Sequence, residues 1–431
     1  MKSKRIIPIT SLLTIVLATL IQFDSTSAQQ TCAGLQNPVT DIGERIFSTV
    51  KFSAAAADKQ QEIVHPGARY LRARIEVSNL GTCDNWWLTI RDADFHVIQT
   101  FNRTDFAAAP HRWTNRVPAV ERKSGNSSTL VSKIIFTLDA CKNGTGPEIA
   151  FPEYVMMSAK SKTPFYSSQV RGKETFRPLY SLKDADNAST NKPLGDNVGF
   201  LMASWDRQSW TCSGVFLNEK WFITNWHCGG RAEFPAGGFW NAQIVKDTII
   251  DVSFDDDGLS QEYVGKSILA QNADLDFAIL EVSAIDAVRR IRPLSINVTA
   301  AGLAGALKII HHPEADRKMI TLAACSVVDT NFSSWQDRVA GVDFTHKCDT
   351  EKGSSGAPVF NSSNELVGLH HRGFDVNPVT CKDVEPRVNK AVKMSKIYAY
   401  LQTCYPQIAS GLMVVGTPET PGTPVPCPAN P

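Results

Sequence analysis

The sequence predicts a mainly β protein: a double β-barrel with a closing C-terminal helix, preceded by a small β-sandwich. Three observations predict it. From Asp196 onward, short apolar and β-branched runs recur between turn residues, the pattern of many short strands curled into barrels. Met394, Ile397, Tyr398 and Leu401 then fall at i, i+3, i+4 and i+7, the apolar stripe of one helix. Upstream, Tyr70 to Val77 and Trp87 to Asp92 alternate in part, and Leu130 to Leu138 is a further β-branched run, which reads most economically as a separate sandwich.

The chain opens with Lys2, Lys4 and Arg5, a mostly apolar stretch from Ile6 to Ile21, and Thr26-Ser27-Ala28. That order of basic, apolar and small residues is a secretory signal, so residues 1–28 are excluded from the fold and the mature protein is expected outside the cell. With 431 residues there is room for two domains, each burying its own core. The expected division is a sandwich over 29–157, a polar linker or processing segment over 158–192, a barrel domain over 193–405, and a tail rich in proline and threonine over 406–431. A formal net charge of +1 gives no general attraction to nucleic acid or anionic membrane. The expected state is a monomer. Ten cysteines in an exported chain, with no CxxC spacing, suggest up to five disulfides. Seven N-x-S/T sequons, at Asn102, Asn126, Asn143, Asn187, Asn297, Asn331 and Asn361, fit a secreted glycoprotein.

Within the barrel domain the expected strands are Val215 to Leu217, Trp221 to Thr224, Thr248 to Phe254, Phe277 to Val282, Leu307 to Ile310, Met319 to Ala323, Val359 to Phe360 and Leu366 to Leu369. The tail beyond Cys404 is expected to be extended, with Cys427 tethered to another cysteine.

Lys352-Gly353-Ser354-Ser355-Gly356-Ala357-Pro358 is the stretch richest in chemistry. A serine that attacks a carbonyl needs a tight turn and backbone N–H groups aimed where the oxyanion forms, and Gly353 and Gly356 permit that turn. Ser355 is the candidate nucleophile, with the N–H groups of Gly353 and Ser355 as the oxyanion hole. A serine nucleophile also needs a histidine base oriented by a carboxylate. His227 ends the segment Cys212 to Cys228, and Asp276 stands directly before the apolar run Phe277-Ala278-Ile279-Leu280. Asp274 is the alternative acid, less suited because the strand should follow the acid at once.

These three motifs, in the order His, Asp, Ser, resemble those of the trypsin-like, chymotrypsin-fold serine endopeptidases over about Asp196 to Cys404. The resemblance implies disulfides Cys212–Cys228 and Cys348–Cys381 and no cofactor. Ser354 departs from the digestive enzymes, which carry an aspartate there that receives a new N-terminal amine; that activation switch is absent here. Ile309-Ile310-His311-His312-Pro313, with Leu366-Val367-Gly368-Leu369-His370, is similar to secreted lysyl endopeptidases. In that group Asp383 corresponds to the specificity aspartate, while Asp349 occupies the pocket-base position of trypsin-like enzymes. Either implies cleavage after Lys or Arg, because a buried carboxylate demands a cation. Thr350 and His370 also match positions at which glutamyl endopeptidases hold an acidic side chain, so that specificity stays open. Trp335 is a candidate pocket wall. His311 and His312 are adjacent on a strand, point to opposite faces and lack a third ligand, so no metal is expected.

Gly67-Ala68-Arg69-Tyr70-Leu71-Arg72-Ala73-Arg74-Ile75, followed by Leu88-Thr89-Ile90-Arg91-Asp92, resembles the CUB-like jelly-roll modules of secreted proteases, which implies a Cys83–Cys141 disulfide. Asp92 and Asp94 hint at calcium only weakly. A different class of function, a catalytically inactive protease-like binding protein, is the rival reading.

Overall fold

A computed structural model describes residues 40–53, 59–107, 110–114, 116–124, 127–139, 144–158, 175–183, 187–205, 208–230, 239–255, 261–285, 291–333, 339–375, 386–418 and 425–428. The expected signal segment, Cys141, Trp335, Cys381 and Asp383 lie outside these residues.

Two sheets make the first unit. One contains the antiparallel strands Thr40–Phe52, Glu148–Ser158 and Ala68–Asn79. The other runs in the order Gln60–Val64, Lys133–Asp139, Trp87–Arg91, Val97–Asn102. Along Ala68–Asn79 the alternate residues Leu71, Ala73, Ile75 and Val77 turn inward and are buried, as a two-residue period requires. They meet Phe136 and Phe151, whose rings stack at 3.7 Å. Arg72 is fully buried on the opposite face, where Nη2 binds Glu262 of the barrel unit at 2.5 Å.

The first barrel is formed by Val198–Trp205, Ile249–Asp251, Glu262–Asn272, Phe277–Ala284, Trp221–Thr224 and Gln208–Phe216, the last pairing back onto the first. Thr40–Phe52 adds to its Gln208–Phe216 strand, so the sandwich sheet and the barrel sheet are continuous. The second barrel contains Met319–Thr321, Leu307–His311, Pro358–Asn361, Leu366–Arg372, Asn389–Lys393, Asp343–His346 and Val327–Phe332 in that order. Each expected barrel strand therefore has its counterpart.

Helix Met394–Cys404 closes the second barrel with Met394, Ile397, Tyr400 and Leu401 buried; Tyr400 takes the inner position and Tyr398 packs half-buried beside it. Beyond Cys404 the chain is more ordered than expected. A short helix, Pro406–Ala409, precedes the strand Met413–Val415, which pairs in parallel with Ser295–Asn297. Ile408, Leu412, Val414 and Val425 pack on the core, and Cys404–Cys427 ties the end down. The polar composition of the tail hid these scattered apolar anchors. Part of the expected linker is docked too: Arg177–Pro178 extends the second barrel at Met319–Thr321, and Leu179 is buried.

Cys212–Cys228 forms as expected. The Cys348–Cys381 pairing is corrected: Cys348 bonds Cys325. Val327–Phe332 and Asp343–His346 are antiparallel with Val327 opposite His346, which brings the residues flanking that end of the ladder to a Cα separation of 4.0 Å. Cys83 is disulfide-bonded, and its expected partner Cys141 lies outside the described residues.

Removing one member of a buried ion pair strands the other charge and costs about 3–5 kcal/mol, whereas replacing both by apolar residues is often neutral. Arg72→Ala is thus expected to lower the melting temperature by several degrees. Arg72→Met combined with Glu262→Leu should recover most of that loss in a thermal melt, and a double variant no better than Arg72→Ala would count against a role confined to this pair.

Candidate active site

The Gly353 to Gly356 turn is fixed by its carbonyls. Glu314 N–H donates to Lys352 O at 2.5 Å, Ser213 Oγ to Gly353 O at 2.8 Å, Ala357 N–H to Ser354 O at 2.9 Å, and Ser213 N–H to Ser355 O at 2.7 Å. Gly353 and Gly356 have φ of 91° and 82°. A Cβ on Gly353 would lie 2.7 Å from His312 O, and one on Gly356 would collide with Ser213 O and Thr224 Oγ1, so both positions need glycine for conformation and for space. Ser354 is buried and Ser355 half-buried, which leaves Ser355 as the serine presented to solvent.

Ser354, where the digestive enzymes have an aspartate, is held by a histidine. Its Oγ lies 2.7 Å from His311 Nδ1 and accepts from Glu351 N–H at 3.1 Å. Burial pushes His311 down to about 3, which favours a neutral ring hydrogen-bonded to the serine hydroxyl. His312 points the other way, against Phe200 and Phe254. The opposite-face reading of the pair is thus the observed geometry.

His227 and Asp276 are brought together by the first barrel. Asp276 Oδ2 lies 2.8 Å from His227 Nδ1, its Oδ1 accepts His227 N–H at 2.9 Å, and Asn225 Nδ2 donates to its carbonyl at 2.8 Å. The two-point grip orients the imidazole. Asp276 has φ of 41°, an unusual backbone for aspartate. Cys228 Sγ approaches Ser355 O at 3.9 Å, so the cystine that follows His227 also abuts the serine turn. Cys212, His227 and Cys228 form the one cluster of metal-type ligand atoms among the described residues, and both sulfurs are spent in the disulfide.

Sequence reasoning passed over one residue here, His371. Its Nδ1 lies 3.1 Å from Asp276 Oδ2 and its Nε2 lies 3.0 Å from Asp343 Oδ2, all three buried. Burial alone would lower the imidazole, but Asp343 and Asp276 on either side raise it to about 9. Burial opposes ionisation of Asp276 as well, yet His227 and His371 together hold it far below the usual carboxylate range. Asp343, penalised by burial, is raised. Asp276 therefore has behind it an imidazole biased toward its charged form. The available signal was the doublet His370-His371 on a strand, which must send one ring to each face.

Among the pocket candidates, Asp349 is buried, with Oδ2 accepting from Thr175 N–H at 3.1 Å and Thr175 Oγ1 at 2.6 Å. Thr350 is buried beside it. His370 Nδ1 lies 3.3 Å from His346 Nε2; burial keeps His346 down near 3 and His370 well below the ordinary histidine value. Asp92 is a turn residue, its Oδ1 accepting the N–H groups of Asp94 and His96, and Asp94 pairs with Arg122.

Residues 212–369 match the trypsin-like peptidase domain family model. The matched stretch runs from Gln208–Phe216 of the first barrel to Leu366–Arg372 of the second, on a mainly β fold. Among curated proteins, the chain is similar to a glutamyl endopeptidase of Staphylococcus epidermidis, at 24% identity over 194 residues, covering 42% of this chain and 60% of that one. The glutamyl endopeptidase of S. epidermidis strain ATCC 12228 gives the same figures. The chain thus spans about three-fifths of the length of these relatives. Similar solved structures include the active form of the Rv3671c protease of M. tuberculosis, at 15% identity and TM-score 0.36, covering 55% of this chain and 90% of that one. A Glu endopeptidase in complex with MPD has 15% identity and TM-score 0.34, covering 52% and 93%.

Because the folded pKa of His371 lies above its ordinary 6.5, its stabilising contribution is complete below about pH 6.5 and lost as pH rises through 9. The melting temperature of the wild type should fall across that window. His371→Gln should flatten the fall, and a variant with an undiminished slope would show that another group titrates.

Proposed function

We propose that this chain is an exported serine endopeptidase that cleaves protein or peptide substrates through an acyl-enzyme. Ser355 Oγ attacks the scissile carbonyl carbon, and His227 Nε2 takes the hydroxyl proton and then delivers it to the leaving amine. Asp276 holds the ring with Nδ1 protonated and stabilises the imidazolium. The N–H groups of Gly353 and Ser355 receive the oxyanion. Water then enters, His227 removes its proton, and collapse of the second tetrahedral adduct releases the acid. The single observation carrying this reading is the buried His227–Asp276 pair at 2.8 Å, beside a cystine that also contacts the serine turn. It also weighs against an inactive binding protein, for which such a pair has no use.

For the residue before the scissile bond, cleavage after Lys or Arg rests on Asp349 and Asp383. The Asp349 carboxylate is taken up by Thr175, which favours the second reading, cleavage after an acidic residue held by His370 and Thr350. In that reading His346 supports His370 from behind, and a neutral imidazole offers an N–H to the incoming carboxylate.

A fluorophosphonate should label the processed protein and not Ser355→Ala; an unlabelled, folded wild type would sink the proposal. Asp276→Asn should lower kcat by about 10⁴ through the wrong tautomer, measured on a peptide amide. Profiling on a peptide library separates the specificities: loss of Glu cleavage in His370→Ala supports the acidic reading, and loss of Lys or Arg cleavage in Asp349→Asn or Asp383→Asn supports the basic one.

A further inference from the structure

Gly353 N–H shares its peptide group with the carbonyl of Lys352. In a trans peptide these two point in opposite directions. The bond from Glu314 N–H to Lys352 O therefore also sets where Gly353 N–H points. A reversed peptide would present a carbonyl oxygen to the oxyanion and repel it. Among the described residues, Gly353 N–H has no backbone acceptor of its own, so the orientation is imposed from the carbonyl side.

The clamp is strained. Glu314 and Ala315 have φ of 49° and 58°, two successive residues with a Cβ in the left-handed region, a conformation such residues rarely adopt. Such a loop keeps its shape only where its surroundings enforce it. Within the barrels, His312 N–H binds Ser213 Oγ at 2.9 Å and His312 Nδ1 binds Asp316 O at 3.1 Å.

The remaining support comes from the sandwich. Ala315 packs in an apolar cluster to which the sandwich contributes Tyr70, Trp113 and Val155. The His312 ring stacks parallel to Phe254, and Tyr70 meets the same Phe254 edge-on at 6.0 Å. Arg116 lies over Phe254 and is fastened to Asp251 at 2.9 Å, with both side chains nearly buried. Arg69 reaches toward Asp316 at the loop's end, at 3.9 Å.

We propose that the N-terminal sandwich is a built-in positioning element for the oxyanion hole: Arg116 and Tyr70 brace Phe254 and the strained His312–Asp316 loop, whose Glu314 N–H sets the direction of Gly353 N–H. The inference rests on the serine endopeptidase reading. It gives the sandwich a role in transition-state stabilisation rather than substrate capture, so loosening the brace lowers kcat and leaves KM in place.

The test uses the full processed chain and a peptide amide substrate. Arg116→Met, which keeps bulk over Phe254 and removes the charge anchor, should lower kcat about 10- to 100-fold, short of the loss of a whole oxyanion donor, with KM within twofold. Arg116→Lys should restore part of the rate. The decisive arm adds Glu314→Gly to Arg116→Met: glycine accepts the left-handed backbone without support, so the double variant should regain at least a third of the lost logarithm of kcat. A folded Arg116→Met with wild-type kcat, or a double variant no faster than the single, overturns the proposal. Glu62→Ala, on the far sheet of the sandwich, should leave the rate unchanged. If Arg116→Met does not fold, Tyr70→Leu is measured with the same partner substitution and judged by the same criteria. A wild type that neither hydrolyses the substrate nor reacts with a fluorophosphonate would defeat the endopeptidase reading itself, an outcome distinct from a normal wild type with an indifferent brace.

Discussion

Ser213 is the residue on which the two barrels and the reactive turn are hung. Its N–H holds Ser355 O, its Oγ takes His312 N–H and gives to Gly353 O, and its own carbonyl accepts Thr224 Oγ1. Four buried polar groups are thereby satisfied through one small side chain and its backbone, at a place where an unpaired donor would cost about 1–3 kcal/mol. Ser213 also follows Cys212, so the same strand carries the cystine that adjoins His227. The positions of the Gly353 to Gly356 turn and of His227 are thus both tied to one strand of the first barrel.

The second constraint is electrostatic. Asp343, His371, Asp276 and His227 form a buried row in which carboxyl groups alternate with imidazoles. A lone carboxylate in this setting would be driven toward neutrality by desolvation. His227 and His371 together offset that penalty and hold Asp276 far below the usual carboxylate range. The arrangement places two counter-charges around one imidazolium, so ionisation at the acid does not depend on the base alone.

Much of this was legible in the chain itself. Strand positions followed from apolar runs and the closing helix from its stripe, because those signals are local. Ser355, His227 and Asp276 stood out because each sits in a short, chemically restrictive context. What escaped was set by distance in the fold. Asp343 and His371 are far apart in sequence and meet only when Asp343–His346, Asn389–Lys393 and Leu366–Arg372 pair. The Cys325–Cys348 bond depended on a hairpin register that spacing does not encode. The bracing of Glu314 and Ala315 was hidden for a similar reason, since a positive φ outside glycine leaves no mark in composition.

The strand Thr40–Phe52 belongs to both units at once, paired with Glu148–Ser158 on one side and Gln208–Phe216 on the other. A boundary drawn from composition would cut between them, yet hydrogen bonding runs straight through. Excising the sandwich would uncover the ladder groups of residues 208–211, converting that part of an interior strand into a sticky edge open to pairing with another molecule. A fragment cut back to residues 212–369 would break this ladder, so a designer trimming the protein should keep the shared strand together with the sheet that shelters it.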